Sequence, residues 1–406
     1  MTRAFPRAFW LYLASRFCTA TGMMMLRAGI AWHVFALSHS AFHLGLIGLV
    51  QFLPIPVFML LGGALADSYD RKKIMMAAQG VPLVCAAMLY LATRRDAATL
   101  PLLYTVVALV GVAWAFDSPS RSALLPTLVS RDAFPRAVTI ASTNQALAFS
   151  TGPVLCGWLI TAAGLAAVYA TLGVLVAVSL GALVFLRTPN RDGPRAVVSL
   201  RAIREGLAFV RRNEVVLGCM ALDMLAVIFG GAAALLPIYA TDILQVGARG
   251  YGLLASSLEI GALLMAFVLT FLPPIRRAGR ALLLAVAAYG VATIVFGLSR
   301  WFPLSVLAYM AVGMADQVSV VMRSTAIQLS TPDALRGRVS GVNMIFIGAS
   351  NQLGAAESGF VAALTTATFS VVSGGLASLG VLGIVAAKLP RLRRYRIDDP
   401  AVRDPS

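Results

Sequence analysis

The sequence predicts an all-α membrane protein with twelve transmembrane helices in two pseudo-symmetric six-helix bundles. Three observations support this class: the composition, a succession of long apolar runs, and a weak internal repeat. Hydrophobic residues make up 59% and charged residues 12% of the 406 residues, and the mean hydropathy is +0.84. A soluble domain is about 45–50% apolar and about 25% charged. The composition therefore excludes an ordinary soluble enzyme and a disordered chain.

The apolar runs place the individual helices. A membrane-spanning helix requires about 20 mostly apolar residues. Spans one to twelve are predicted at 9–35, 44–66, 74–92, 100–118, 137–160, 165–186, 215–240, 251–273, 280–299, 302–322, 339–363 and 367–387. The predicted domains are an N-terminal six-helix bundle (1–187), a cytoplasmic linker with an amphipathic helix (188–213), a C-terminal six-helix bundle (214–390) and a cytoplasmic basic tail (391–406).

The positive charges predict the orientation in the membrane. Of the 33 Lys and Arg residues, most fall in loops on the side that holds both termini. The opposite side holds only Arg94, Arg95, Arg249 and Arg300. Because basic residues concentrate in cytoplasmic loops, both termini are predicted to be cytoplasmic. This placement explains the net charge of +16 without a nucleic-acid partner. The four cysteines and three histidines predict no metal site, disulfide or cofactor.

The two halves of the chain match weakly. At an offset of 202 residues, Arg121 aligns with Arg323 and Gly157 with Gly359. At an offset of 207 residues, Gly45 aligns with Gly252. Parallel duplication of a six-helix unit is typical of transporters, whose substrate site is expected between the halves near the bilayer midplane.

The loop after span two carries a recognisable motif. It runs from Gly62 through Asp67 to the basic residue Arg71 and two lysines, and it resembles the G-x-L-A-D-R-x-G-R-K loop of the major facilitator superfamily. The resemblance covers residues 8–390. It implies that Asp67 and Arg71 stabilise the outward-facing state at the cytoplasmic gate, with Asp117 and Arg121 as candidate partners.

Further segments indicate a branch and a direction of transport. Residues 36–45, 117–126 and 323–340 are similar to bacterial siderophore and macrolide exporters of that superfamily. Span five contains Gly152-Pro153 and Gly157, which resemble the G-x-x-x-G-P-x-x-G-G element of its antiporters. Proline can bend the helix and the glycines permit close helix contact; a simple packing role remains an equal alternative.

Ionisable residues inside spans are costly unless they are paired, hydrated or functional. Asp223 and Asp316 are the proton-coupling candidates, since a carboxylate can gain and lose a proton as its surroundings change. An Arg16–Asp223 pair is expected from their similar depth, as a gate, a proton site or a structural salt bridge. The substrate or charge-pair candidates are Arg16, Arg27, Glu259 and Glu357.

Together these features predict a secondary active transporter, with no enzymatic activity. The favoured function is proton-coupled export of a small amphipathic molecule, such as a drug or siderophore, by an antiporter. The alternatives are a symporter for uptake of a small anionic metabolite, and a non-transporting receptor or lipid-scrambling scaffold. We expect a monomer in the bacterial inner membrane, with a small-molecule substrate, protons and the lipid bilayer as its partners.

Overall fold

The computed structural model describes residues 5–54, 58, 71–186, 200–273 and 275–397, and all regular structure in these ranges is helical. The long helices are α1 (Arg7–Ser38), α2 (Ala41–Phe52), α3 (Arg71–Arg94), α4 (Leu100–Leu124), α5 (Phe134–Phe185), α6 (Leu200–Arg212), α7 (Glu214–Phe229), α8 (Gly247–Phe271), α9 (Ala278–Leu298), α10 (Phe302–Leu329), α11 (Arg336–Leu364) and α12 (Ala367–Lys388). A short helix, α13 (Pro390–Arg394), follows α12.

These helices confirm the predicted membrane fold. Within the described ranges, nine helices are long and apolar enough to cross a membrane. One of them, α5, has 52 residues and is interrupted at Gly164, whose φ is 78°. Glycine adopts this left-handed region without a steric penalty, so Gly164 separates spans five and six. Helix α2 lies at the start of predicted span two, and the 29-residue α11 covers predicted span eleven.

The described chain divides into two compact units. Unit 1 comprises residues 1–39, 50–198 and 247–256, and unit 2 comprises residues 40–49, 199–246 and 257–406. Each unit thus contains a ten-residue segment from the other half of the sequence. The predicted domain bounds do not include this exchange.

Unit 1 is built around α1 and α5, which pack along each other, while α3 packs on both α4 and α5. One end of the unit is closed by an apolar cluster that includes Phe9, Tyr12, Met75, Leu124 and Leu183. Each of these side chains is buried. The cluster fixes the beginning of α1 against the ends of three neighbouring helices, which positions the polar side chains one turn further along α1.

Unit 2 is built around α9, which packs against α10 and α12, and around α11, which packs against α7, α12 and α6. The described part of the link between the sequence halves, which begins with α6, belongs to this unit. Val210 of α6 is completely buried in the apolar cluster of unit 2. Glu205 of α6 forms an ion pair of 2.5 Å with Arg338 at the start of α11. The side chain of Asn213 then caps α7 by accepting hydrogen bonds from two main-chain N–H groups.

Candidate functional site

A buried ion pair lies inside unit 2. Asp223 of α7 pairs with Arg323 of α10 through the carboxylate atom Oδ2 and the guanidinium atom Nη1. The side chains are 8% and 4% exposed, respectively. Two opposite charges this far from water stabilise each other only as a pair, since either one alone would carry a large desolvation cost. The sequence predicts Arg16 as the partner of Asp223. This prediction is wrong, because the partner is Arg323.

Arg16 lies in unit 1 and makes polar contacts there. Its guanidinium donates to the side-chain oxygen of Gln145 in α5 and, at 3.1 Å, to the hydroxyl of Tyr12. The Tyr12 hydroxyl in turn donates to the main-chain oxygen of Arg121 at 3.3 Å. These contacts connect α1 with α4 and α5. They also provide two oxygen acceptors for the Arg16 guanidinium.

A chain of polar side chains continues from Arg121. Arg121 and Asp117, one turn apart on α4, form a bidentate pair of 2.9 and 3.1 Å. Gln79 of α3 donates to the Asp117 carboxylate at 3.4 Å and accepts from Ser179 of α5 at 2.8 Å. The Ser179 hydroxyl lies 2.7 Å from that of Ser15 in α1. We call Asp117, Arg121, Gln79, Ser179 and Ser15 the unit 1 polar network; it connects four helices.

The other predicted charges occupy varied surroundings. Asp316 lies half-buried on α10, and Arg27 lies exposed on α1. Glu357 of α11 is half-buried and accepts a hydrogen bond of 3.4 Å from Ser358. Glu259 is half-buried on α8. The structure therefore brings Asp223 into an ion pair with Arg323, a residue outside the predicted candidates.

The loop motif can be followed only in part. Gly62 and Asp67 lie outside the described residues, and Arg71 is described only as the first residue of α3. The next residue, Lys72, donates from Nζ to the main-chain oxygens of Val184 and Leu186, at 2.8 and 2.9 Å. Because the last carbonyl groups of a helix have no partner within it, this lysine caps the end of α5.

The antiporter-like residues of α5 form close helix contacts within unit 1. A Cβ atom at Gly152 would lie 2.6 Å from Cβ of Met24 on α1. One at Gly157 would collide with the main-chain oxygen of Ala248 at the start of α8. A Cβ atom at Gly252 would lie 2.6 Å from the main-chain oxygen of Pro153. Pro153 itself lies inside α5, whose dihedral angles depart from helical values only at Gly164.

Unit 2 contains the repeat-related version of the contact between α5 and α8. A Cβ atom at Gly359 of α11 would collide with the backbone of Gly45 on α2. Gly359 aligns with Gly157, and Gly45 aligns with Gly252. The exchanged segments 40–49 and 247–256 are therefore each held by a pair of glycines that the internal repeat relates. The sequence shows both alignments but does not predict that Gly157 and Gly252, or Gly359 and Gly45, lie in contact.

Several residues of these sites were not singled out from the sequence as site residues. Arg323 was identified only as the match to Arg121 and as part of a family segment. Tyr12, Gln79 and Ser179 carry only the weak signal of polar side chains inside predicted spans, which need partners there. For Gln145, inside predicted span five, the sequence alone indicates a packing role, and the structure gives it a charged partner.

Comparison with known proteins supports this architecture. A family model described as "Transmembrane secretion effector" matches residues 4–403. A curated relative, the enterobactin exporter EntS of Escherichia coli O81 (strain ED1a), is 26% identical over 396 residues, covering 97% of this chain and 95% of the relative. The enterobactin exporter EntS of Escherichia fergusonii also has 26% identity, with the same coverage.

Solved structures show the same fold. A mutant of the nucleoside transporter NupG has a TM-score of 0.74 at 14% identity, covering 94% of this chain and 99% of that one. A POT family transporter in complex with a thioalcohol-conjugated peptide has a TM-score of 0.76 at 12% identity, covering 95% and 97%. With the family match, these findings confirm a secondary transmembrane transporter and do not favour the uptake alternative. The chain belongs to the transmembrane secretion effector family, within the major facilitator superfamily.

Proposed function

We propose that this protein is a proton-coupled exporter of a small amphipathic molecule of the siderophore type, working by alternating access in the bacterial inner membrane. The direction and substrate class are supported by the relatives that are named enterobactin exporters and that align over nearly the full chain. The buried Asp223–Arg323 pair carries the proposed coupling mechanism.

The mechanism follows from the chemistry of this pair. In the ionised state, the Asp223 carboxylate neutralises the Arg323 guanidinium. A proton on Asp223 would remove the negative charge and leave Arg323 as an uncompensated cation. Because an unpaired charge away from water is costly, the protonated protein would favour a conformation in which Arg323 reaches water or an anionic group of the substrate. Asp316, on the same helix as Arg323, is the second candidate carboxylate.

The proposal is tested by proton movement in energised inside-out vesicles that contain the protein. A panel of siderophores, macrolides and cationic dyes is added while a pH-sensitive fluorophore reports proton release. We expect release with one compound class, and its loss in Asp223→Asn. Asp333→Asn is the matched control, because the Asp333 side chain is 87% exposed and lies in the short turn before α11.

A charge exchange separates coupling from structure. The double variant Asp223→Arg/Arg323→Asp keeps a salt bridge between α7 and α10 but moves the carboxylate to the other helix. We expect this double variant to fold but to lose substrate-dependent proton release. Full proton release from folded Asp223→Asn would indicate that Asp316 is the coupling carboxylate. The Asp316→Asn variant then tests this second candidate. Release that survives both single variants would overturn the coupling mechanism.

A further inference from the structure

The C-terminal segment 390–397, which we call the strap, is fixed onto one end of unit 2. Its Leu392 and Tyr395 side chains are buried. The main-chain N–H of Gly279, at the start of α9, donates to the Tyr395 oxygen at 3.2 Å. The N–H of Ile397 donates to the Arg276 oxygen at 3.0 Å. These bonds join two segments that are more than a hundred residues apart in sequence.

Gly279 explains why the strap can lie there. A side chain at this position would collide with the main-chain oxygen of Leu392. At the offset of 207 residues, Gly279 aligns with Lys72 of unit 1, whose amino group caps the end of α5. Unit 2 therefore has a glycine at the position where unit 1 has its capping lysine. The strap occupies the space that a side chain at position 279 would fill.

The docked strap brings two groups of arginines to the same end of unit 2. All five are exposed: Arg276, Arg277, Arg280, Arg393 and Arg394. Within the described residues, none of these five has an ion-pair partner, whereas Arg391 of the strap pairs with Glu214 at 3.6 Å. Positive-inside bias accounts for basic residues in these loops, but it does not require a buried anchor or main-chain bonds that hold the two loops together.

We propose that these five arginines form a binding surface for the phosphate headgroups of anionic lipids. The first three residues flank the start of α9 and the last two follow α12, both membrane-spanning helices. This position places the guanidinium groups near headgroup depth. Arginine suits this ligand because its planar fork of N–H donors matches phosphate oxygens, and fixed arginines lose less freedom on binding than arginines on a mobile tail.

The experiment measures lipid binding to the full chain in neutral detergent by native mass spectrometry. Phosphatidylglycerol is titrated against phosphatidylcholine of the same acyl chains. We expect tighter binding of the anionic lipid, and weakening by at least about tenfold in Arg276→Gln/Arg393→Gln/Arg394→Gln. The matched control is Arg94→Gln/Arg95→Gln, which removes two exposed arginines where α3 ends and should leave binding unchanged.

A second variant separates position from charge. Gly279→Ala retains every arginine but displaces the strap, and it should weaken phosphatidylglycerol binding while thermal unfolding shows that the bundle remains folded. Equal affinity for both lipids, or equal weakening by the Arg94/Arg95 control, would overturn the proposal. Complete displacement of the lipid by millimolar inorganic phosphate would instead assign the surface to free phosphate.

Discussion

At the scale of single residues, each half of the chain contains one arginine that is paired with an aspartate inside a span. Asp223 and Arg323 neutralise each other in unit 2, and Asp117 and Arg121 do so in unit 1. The two arginines are related by the internal repeat, yet one pairs along its own helix and the other pairs across to α7. The duplication has kept the cation in each half, while the carboxylate that balances it comes from different places.

Removing one member of the buried pair should destabilise unit 2. We expect Asp223→Ala to lower the free energy of unfolding by about 3–5 kcal/mol, because it leaves the Arg323 charge uncompensated. Thermal or denaturant unfolding in detergent measures this. Asp333→Ala, which removes a carboxylate from an exposed pair, should cost less than about 1 kcal/mol. Equal effects of the two substitutions would contradict the buried-pair interpretation.

The unit 1 polar network should depend on Gln79, which is buried and joins Asp117 to Ser179. Gln79→Leu keeps the volume but leaves both partners without this hydrogen bond, at a cost of about 1–3 kcal/mol. The control is Asn351→Leu, since Asn351 is exposed and, among the described residues, its side chain hydrogen-bonds only to the main-chain oxygen of Ile347, one turn earlier. A shift in unfolding temperature confined to Gln79→Leu is expected, and indistinguishable shifts would show that the network adds no stability.

The sequence predicts where charges occur but not which side chains meet. Asp223 and Arg16 stand out because charged residues are rare inside apolar runs. Their partners depend on the rotation of each helix about its axis, which a single sequence does not determine. Similar depth in the spans predicts an Arg16–Asp223 pair, but the structure pairs Asp223 with Arg323 and gives Arg16 a hydrogen bond to Gln145.

At the scale of helices, glycine residues allow neighbouring helices to approach closely. Gly157→Ala should destabilise the contact between α5 and α8, because the added Cβ collides with the Ala248 oxygen; overpacking of this kind costs about 1–3 kcal/mol. Gly181→Ala, in the second part of the same helix, has open space around it and should be neutral or slightly stabilising. Unfolding measurements on both variants decide this, and loss of stability in both would indicate general helix sensitivity instead.

Helix positions follow from hydropathy far better than helix surroundings do. The nine described helices that are long and apolar enough to cross a membrane all coincide with predicted spans, because lipid requires long apolar helices whose main-chain groups are satisfied internally. The sequence also predicts the amphipathic helix α6, whose apolar residues at helical spacing suit the membrane interface. The structure shows its Val210 buried against unit 2. An apolar face is equally suited to lipid or to protein, so the pattern alone does not identify which of them it contacts.

At the scale of the whole molecule, the orientation is open to a direct test. We expect Ala97→Cys, in the exposed loop between α3 and α4, to react with a membrane-impermeant maleimide in intact spheroplasts. Asp132→Cys, in the exposed loop between α4 and α5, should react only after the membrane is opened. The native cysteines give a low background, because three are buried and Cys18 is half-buried. The opposite labelling pattern would reverse the predicted topology.

The exchange of segments between the units limits how this chain can be recombined with its relatives. Residues 40–49 are translated with the first half but pack in unit 2, and residues 247–256 do the reverse. A chimera joined at the linker would therefore combine Gly45 of one parent with the α11 surface of the other. A chimera that keeps each glycine contact within one parent therefore needs crossover points at both edges of segments 40–49 and 247–256 as well as in the linker.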